Sequence, residues 1–163
     1  NAGRARTEGV EAEVHWDVAK GVLRDDDAVT TSASYTWLDT EVIESNNPAS
    51  STFKEGGSLI RRPRNAAHLN VDYTIVDCLD VNLDFNYFGS RKDVSFVFGR
   101  PPREVEEGSL RVDLAASWMV PWVKGLRVMG RAENLLDKDY DEVIGFPAPG
   151  FNALGGLEYE IGF

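Results

Sequence analysis

Apolar and polar residues alternate along this chain with a period of two, the spacing of strands whose two faces meet different surroundings. Val10, Ala12, Val14, Trp16 and Val18 alternate with Glu11, Glu13, His15 and Asp17. Val29, Thr31, Ala33, Tyr35 and Trp37 form a second stripe, and Ala67, Leu69, Val71, Tyr73 and Ile75 a third. Val81, Leu83, Phe85 and Tyr87 are followed by Leu110, Val112, Leu114, Ala116, Trp118 and Val120. Leu126, Val128, Gly130 and Ala132 precede the tail LEYEIGF, where Leu157, Tyr159, Ile161 and Phe163 share a face. The pattern predicts seven antiparallel strands at 6–18, 29–41, 62–76, 81–93, 108–120, 125–135 and 154–163.

Each apolar stripe spans roughly 9–11 residues, the length that crosses a bilayer at a tilt. Strands of soluble domains usually run about 5–6. Aromatic residues gather near the stripe ends (Trp16, Tyr35, Trp37, Tyr73, Tyr87, Trp118 and Phe163), where amphipathic rings suit a membrane interface. Connections at 76–80 and 121–125 are short and the one at 19–28 is moderate, whereas 40–60, 89–108 and 135–153 are long. Short and long alternate strictly, as in an up-and-down barrel with tight turns at one end. The fold class expected is therefore all-β, an antiparallel up-and-down transmembrane β-barrel segment. The rival is a soluble antiparallel sandwich or lipocalin-like barrel, with the apolar face turned inward.

Composition leaves this reading in place. The 163 residues are 42% hydrophobic and 27% charged. No apolar run approaches the ~20 residues of a membrane helix. A net charge of −10 argues against nucleic acid as a partner. Cys78 has no second cysteine to pair with. The opening NAGRARTEGVE has neither Met nor a signal segment, so the chain is expected to be a piece of something longer.

Candidate chemistry is sparse. DKDYDE at 137–142 imitates the start of a calcium loop, but Glu142 stands where Gly is needed and Ala148 where Glu is needed. Glu11, Glu13 and His15 share one face, which a polar lumen wall explains without a metal. RDDDA at 24–28 reads as a solvated turn, and His68 falls on the predicted lumen face. No nucleophile elbow or phosphate loop occurs, so neither enzyme activity nor a protein-bound cofactor is expected. Arg61, Arg62 and Arg64 cluster at the top of the third strand. They either pair with acidic loops or contact an anionic ligand. Strand parity turns Arg62 and Arg64 into the lumen, unless Pro63 breaks the ladder and re-aims Arg61.

GRAENLLDKDYDEVIGFPAPG at 130–150 resembles the C-terminal region of TonB-dependent outer-membrane receptors. There an NLFDKDY block precedes a Gly-aromatic loop and the final strand. TEGVEAE at 7–13, ASYTWLDTE at 33–41, LIRRPRN at 59–65 and YFGSRKD at 87–93 are similar to further pieces of that family. Within it, the spacing from GSR at 89–91 to VDLAASW at 112–118 looks most like the cobalamin receptor branch. The resemblance implies a plugged barrel of about 22 strands, of which residues 1–163 would be the C-terminal third. It implies a Gram-negative outer-membrane location, lipid around the wall, and periplasmic short turns opposite extracellular long loops. The partners implied are a scarce nutrient, cobalamin or a ferric siderophore, and the TonB energy-coupling complex. TonB would act through a plug-side motif expected outside this sequence. Arg61 and Phe96 are the substrate contacts implied; Phe96 stands where the branch has Tyr, which keeps the ring and removes a hydroxyl donor. Phe163 would be the terminal aromatic that barrel assembly reads. A passive porin or structural barrel is the alternative.

Overall fold

The computed structural model describes residues 2–47, 49, 52–95 and 104–161. Its strands, in chain order, are β1 (Ala2–Lys20), β2 (Asp27–Ser45), β3 (Asn65–Ile75), β4 (Leu79–Phe88), β5 (Arg91–Asp93), β6 (Glu104–Glu106), β7 (Ser109–Met119), β8 (Leu126–Glu133), β9 (Asp141–Val143), β10 (Phe146–Pro147) and β11 (Asn152–Tyr159). Seven form one antiparallel sheet in the order β1-β2-β3-β4-β7-β8-β11. Its members follow one another along the chain without a crossover. The small pairs β5–β6 and β9–β10 are hairpins inside two of the long connections. No helix occurs among the described residues.

Register carries the alternation across the whole sheet. Trp16 faces Thr31, Thr31 faces Val71, Val71 faces Leu83, Leu83 faces Leu114, Leu114 faces Ala132 and Ala132 faces Ala153. Within the paired residues, each apolar stripe read from the sequence therefore lies on one face. A slip of one residue in any strand would move its whole stripe to the opposite face. Much of that face is open, with Trp16 64% and Leu157 74% exposed on the edge strands, although Val112 and Val120 are buried. Tyr35 and Tyr87, both opposite Ala67, lie toward its long-loop end. Trp118 and Trp122 meet edge to face at 5.2 Å toward the short-turn end.

The other face is polar and internally bonded. The Asp84 carboxylate accepts from Asn70 and Asn86 and meets His68 Nε2 at 2.7 Å. Asn82 donates to Asp72 at 2.7 Å, and Arg127 donates to Ser117, which donates to Asp80. Opposite polar pairs of this kind lock strands together without burying them in an apolar core. His15 lies 2.9 Å from Glu13 on the same face, where the alternation places it.

Boundaries depart from the sequence expectation in five strands. β1 and β2 run 19 residues each. Residues 2–5 and 42–45, past the expected ends at 6 and 41, carry no apolar stripe, so alternation could not mark them. β3 begins at Asn65 because Pro63 lacks an N–H and Arg61 takes a positive φ of 57°. The strand expected over 81–93 stops at Phe88, where the chain leaves the sheet at Gly89 and Ser90 to start β5. β11 begins two residues before the expected 154 and ends at Tyr159. Phe163 lies outside the described residues. RDDDA is also not solvated throughout. Asp27 is buried and accepts from the N–H groups of Val22, Leu23 and Arg24 at 2.6, 2.7 and 2.9 Å.

The turn between β8 and its predecessor ends on Gly125, whose φ is 83° and whose carbonyl accepts from Glu160 N–H at 2.8 Å. A Cβ at this position would overlap the backbone oxygen of Glu160. Gly125→Ala should therefore loosen the β8–β11 pair and cost about 1–2 kcal/mol. Heat-induced gel mobility of the full-length protein checks it: an unchanged midpoint would mean that the turn absorbs the methyl group.

Candidate functional site

The long connections meet at one end of the sheet, and a buried carboxylate joins them. Asp93 is 0% exposed. Its Oδ1 accepts from Arg61 Nε at 2.8 Å and from Val94 N–H at 2.7 Å, and its Oδ2 accepts from Ile144 N–H at 3.1 Å. Three connections, 46–64, 89–108 and 134–151, thus share one group. Burial alone would raise the Asp93 pKa. The Val94 N–H, Arg61 and the Ile144 N–H outweigh it and hold the carboxyl below its ordinary range. The same three connections are tied twice more. Arg61 N–H donates to Lys92 O at 2.7 Å, and Arg91 Nη2 donates to the carbonyls of Asp141 and Glu142 at 2.7 and 3.0 Å.

Between these ties lies an open cleft of 440 Å³. Arg61, Arg62, Arg91 and Arg111 line it, with Phe88, Tyr140, Asn86 and Glu142. Four guanidinium groups around one cleft are unusual in a chain of net charge −10. Arginine's planar fork suits carboxylate, catecholate and phosphate oxygens, and the two rings offer apolar contact beside it. A second cleft of 480 Å³ lies on the other side of Arg62 and Arg91. It also carries Arg64 and Lys92, but Asp39 and Glu41 balance them.

The expected arginine cluster separates in the structure. Arg61 lines the cleft, but its Nε is committed to Asp93. Arg64 donates to Asp39 at 2.6 Å and its guanidinium sits 5.8 Å from the centre of the Trp37 ring. That places it on the apolar-stripe side, not on the polar side that parity assigned to it. The irregular backbone at Arg61 and Pro63 just before β3 is the physical reason. Arg62 alone of the three lines both clefts without an ion pair or hydrogen bond to a described residue. Phe96 lies outside the described residues. Sequence reasoning missed Arg91, Arg111 and Asp93 as members of the site. Arg111 carried only a general signal, since alternation puts it with Asp113 on the polar face of β7. Its Nε lies 2.9 Å from Asp113 Oδ2, and its guanidinium also meets Tyr140 of the cleft.

NLLDKDY forms the floor beneath these loops. Asn134 is 1% exposed with a φ of 50°. Its Nδ2 donates to the carbonyls of Lys138 and Pro149 at 3.1 and 3.2 Å, and its Oδ1 accepts from Lys138 N–H at 3.0 Å. Its own N–H donates to Asp113 at 2.9 Å. Asp137, the first residue of the calcium-loop imitation, accepts from Phe151 N–H at 2.8 Å.

The family model described as TonB dependent receptor-like, beta-barrel matches residues 1–135. The chain belongs to the TonB-dependent receptor-like β-barrel family. Solved structures agree on the fold. The siderophore receptor PiuA from Acinetobacter baumannii superposes with a TM-score of 0.70 at 20% identity, over 95% of this chain and 22% of its own. The ferric-catecholate import receptor Fiu from E. coli K12 gives 0.71 at 20% identity, over 95% and 21%. The ferripyoverdine receptor of Pseudomonas aeruginosa gives 0.67 at 20% identity, over 95% and 19%. The chain thus spans about a fifth of the length of these receptors. In a TonB-dependent barrel wall the apolar face meets lipid and the polar face lines the lumen.

Proposed function

We propose that this chain is the C-terminal part of the wall of an outer-membrane receptor that captures a ferric siderophore and imports it with TonB-coupled energy. The observation that carries the reading is the arginine-lined cleft at the long-loop end, set in a wall of this family. Anionic iron chelates carry clustered oxygens that such a cleft suits, and the structural neighbours named as siderophore receptors support the same class. Cobalamin would be the alternative ligand; it rests on the GSR-to-VDLAASW spacing alone, and none of the three receptors named above is a cobalamin receptor. Arg61 would contribute the N–H groups not bound to Asp93, and Phe96 an apolar ring. The long connections would be extracellular and the short turns periplasmic. The TonB contact and the plug would belong to parts of the receptor outside these residues.

The chain's own residues would bind and orient the ligand; no covalent step is involved. Tryptophan fluorescence of the full-length receptor in detergent should quench on adding ferric siderophore, with cobalamin titrated in parallel. Uptake of the bound ligand by cells should stop when TonB is deleted. Uptake that continues without TonB would instead indicate a passive porin-like barrel.

A further inference from the structure

We infer that Arg62 is the residue that selects the ligand by charge, and that Arg61 serves chiefly to position the loops around it. This rests on the receptor reading above and goes beyond it by separating the roles of neighbouring arginines. Three of the cleft's four arginines already have protein partners. Arg61 holds Asp93, Arg91 holds the Asp141 and Glu142 carbonyls, and Arg111 is ion-paired with Asp113. Arg62 is exposed, lines both clefts, and makes no ion pair or hydrogen bond with a described residue.

The connection that carries Arg62 is itself poor in carboxylates. Residues 48, 50, 51 and 96–103, which lie outside the description, contain no Asp or Glu. The connection over 46–64 sets Lys54, Arg61, Arg62 and Arg64 against Glu55 alone, and Glu55 is occupied with the Ser45 N–H. Asp39, Glu41 and Glu142 line the two clefts with Arg62; Asp39 pairs with Arg64 and Glu41 with Arg6, and none of the three is ion-paired with Arg62. A guanidinium whose charge is not neutralised by the protein interacts most strongly with an anion brought to it. One already paired adds less, because its field is largely cancelled. The tie of Arg61 to buried Asp93 sets the backbone from which Arg62 projects.

The test uses the full-length receptor in detergent and two iron chelates as probes, a triply anionic ferric tris-catecholate and a neutral ferric trihydroxamate. Affinities are read by fluorescence quenching at low and high salt. Arg62→Gln should weaken the anionic probe about tenfold and leave the neutral probe within about twofold, since one charge-assisted hydrogen bond is worth about that ratio. Arg62→Lys should restore part of the loss. The salt dependence of anionic binding should flatten in Arg62→Gln. Arg61→Gln should weaken both probes alike, the sign of a positioning role. Equal losses for both probes in Arg62→Gln, or no loss for either, would overturn the assignment while leaving the receptor reading intact. A wild-type receptor that binds neither probe but binds cobalamin would overturn the anionic-ligand premise and with it the assignment. One that binds none of the three would remove the receptor reading itself.

Discussion

Replacing Asn134 by alanine should destabilise the full-length receptor by about 3 kcal/mol, from two separable causes. The side chain satisfies three backbone groups, the carbonyls of Lys138 and Pro149 and the N–H of Lys138. Leaving buried polar groups without partners costs about 1–3 kcal/mol. The backbone at Asn134 also sits at a φ of 50°, a region where alanine is strained by about 1–2 kcal/mol. Asparagine tolerates that region because its short side chain bonds locally, which explains the residue type at the head of the NLLDKDY block. Glycine at the same position separates the causes, since it accepts the backbone and removes the side chain. Asn134→Gly should therefore recover about 1 kcal/mol of the loss, and no more. Melting by heat-induced gel mobility gives the comparison. Full recovery in the glycine variant would show that the turn needs only the conformation and that the three hydrogen bonds contribute nothing.

The face of each strand was legible in the sequence because one rule governs it everywhere. Different surroundings on the two faces of the sheet force period two, and Val71, Leu83 and Leu114 obey it as individuals. Opposite pairing then follows from keeping those residues level. The extensions of β1 and β2 past the expected 6 and 41 were invisible because residues 2–5 and 42–45 lie beyond the apolar band, where alternation no longer has a solvent boundary to mark. The site was legible only as a cluster. Arg61, Arg62 and Arg64 stand together in sequence, yet their partners come from 32 residues away in one case and 25 in another. Nothing local tells Arg61 that Asp93 will be buried beside it, or that Ile144, 51 residues beyond Asp93, will bring the third donor. The same holds for NLLDKDY. Its letters resemble a block of the family, although the family match covers residues 1–135; its work here is architectural, turning the chain out of β8.

Asp93→Ala should separate those loops while leaving the wall intact. The change strands the buried N–H groups of Val94 and Ile144 and frees Arg61. Two unsatisfied buried donors cost about 3 kcal/mol together. Arg61 adds little, because its side chain is 39% exposed and water can solvate it. At 1.4 kcal/mol per factor of ten, amide exchange in peptides covering 58–64, 91–95 and 141–147 should quicken about a hundredfold. Peptides from β3 and β4 should keep their wild-type rates. Acid should imitate the substitution in the wild type. The Asp93 pKa is lowered on folding, so its contribution is complete above the unfolded carboxylate value of about 4 and fades as pH falls through the lower folded value. Loop exchange should thus stay slow at neutral and mildly acidic pH and rise only below about pH 4. Asp93→Asn should lose that pH dependence, since its amide cannot titrate and turns a donor toward groups that are themselves donors. If exchange quickens in 91–95 alone, Asp93 stabilises only its own hairpin and the three connections move independently. If all three peptides quicken together, one carboxylate joins them, and the cleft they enclose opens and closes as a unit.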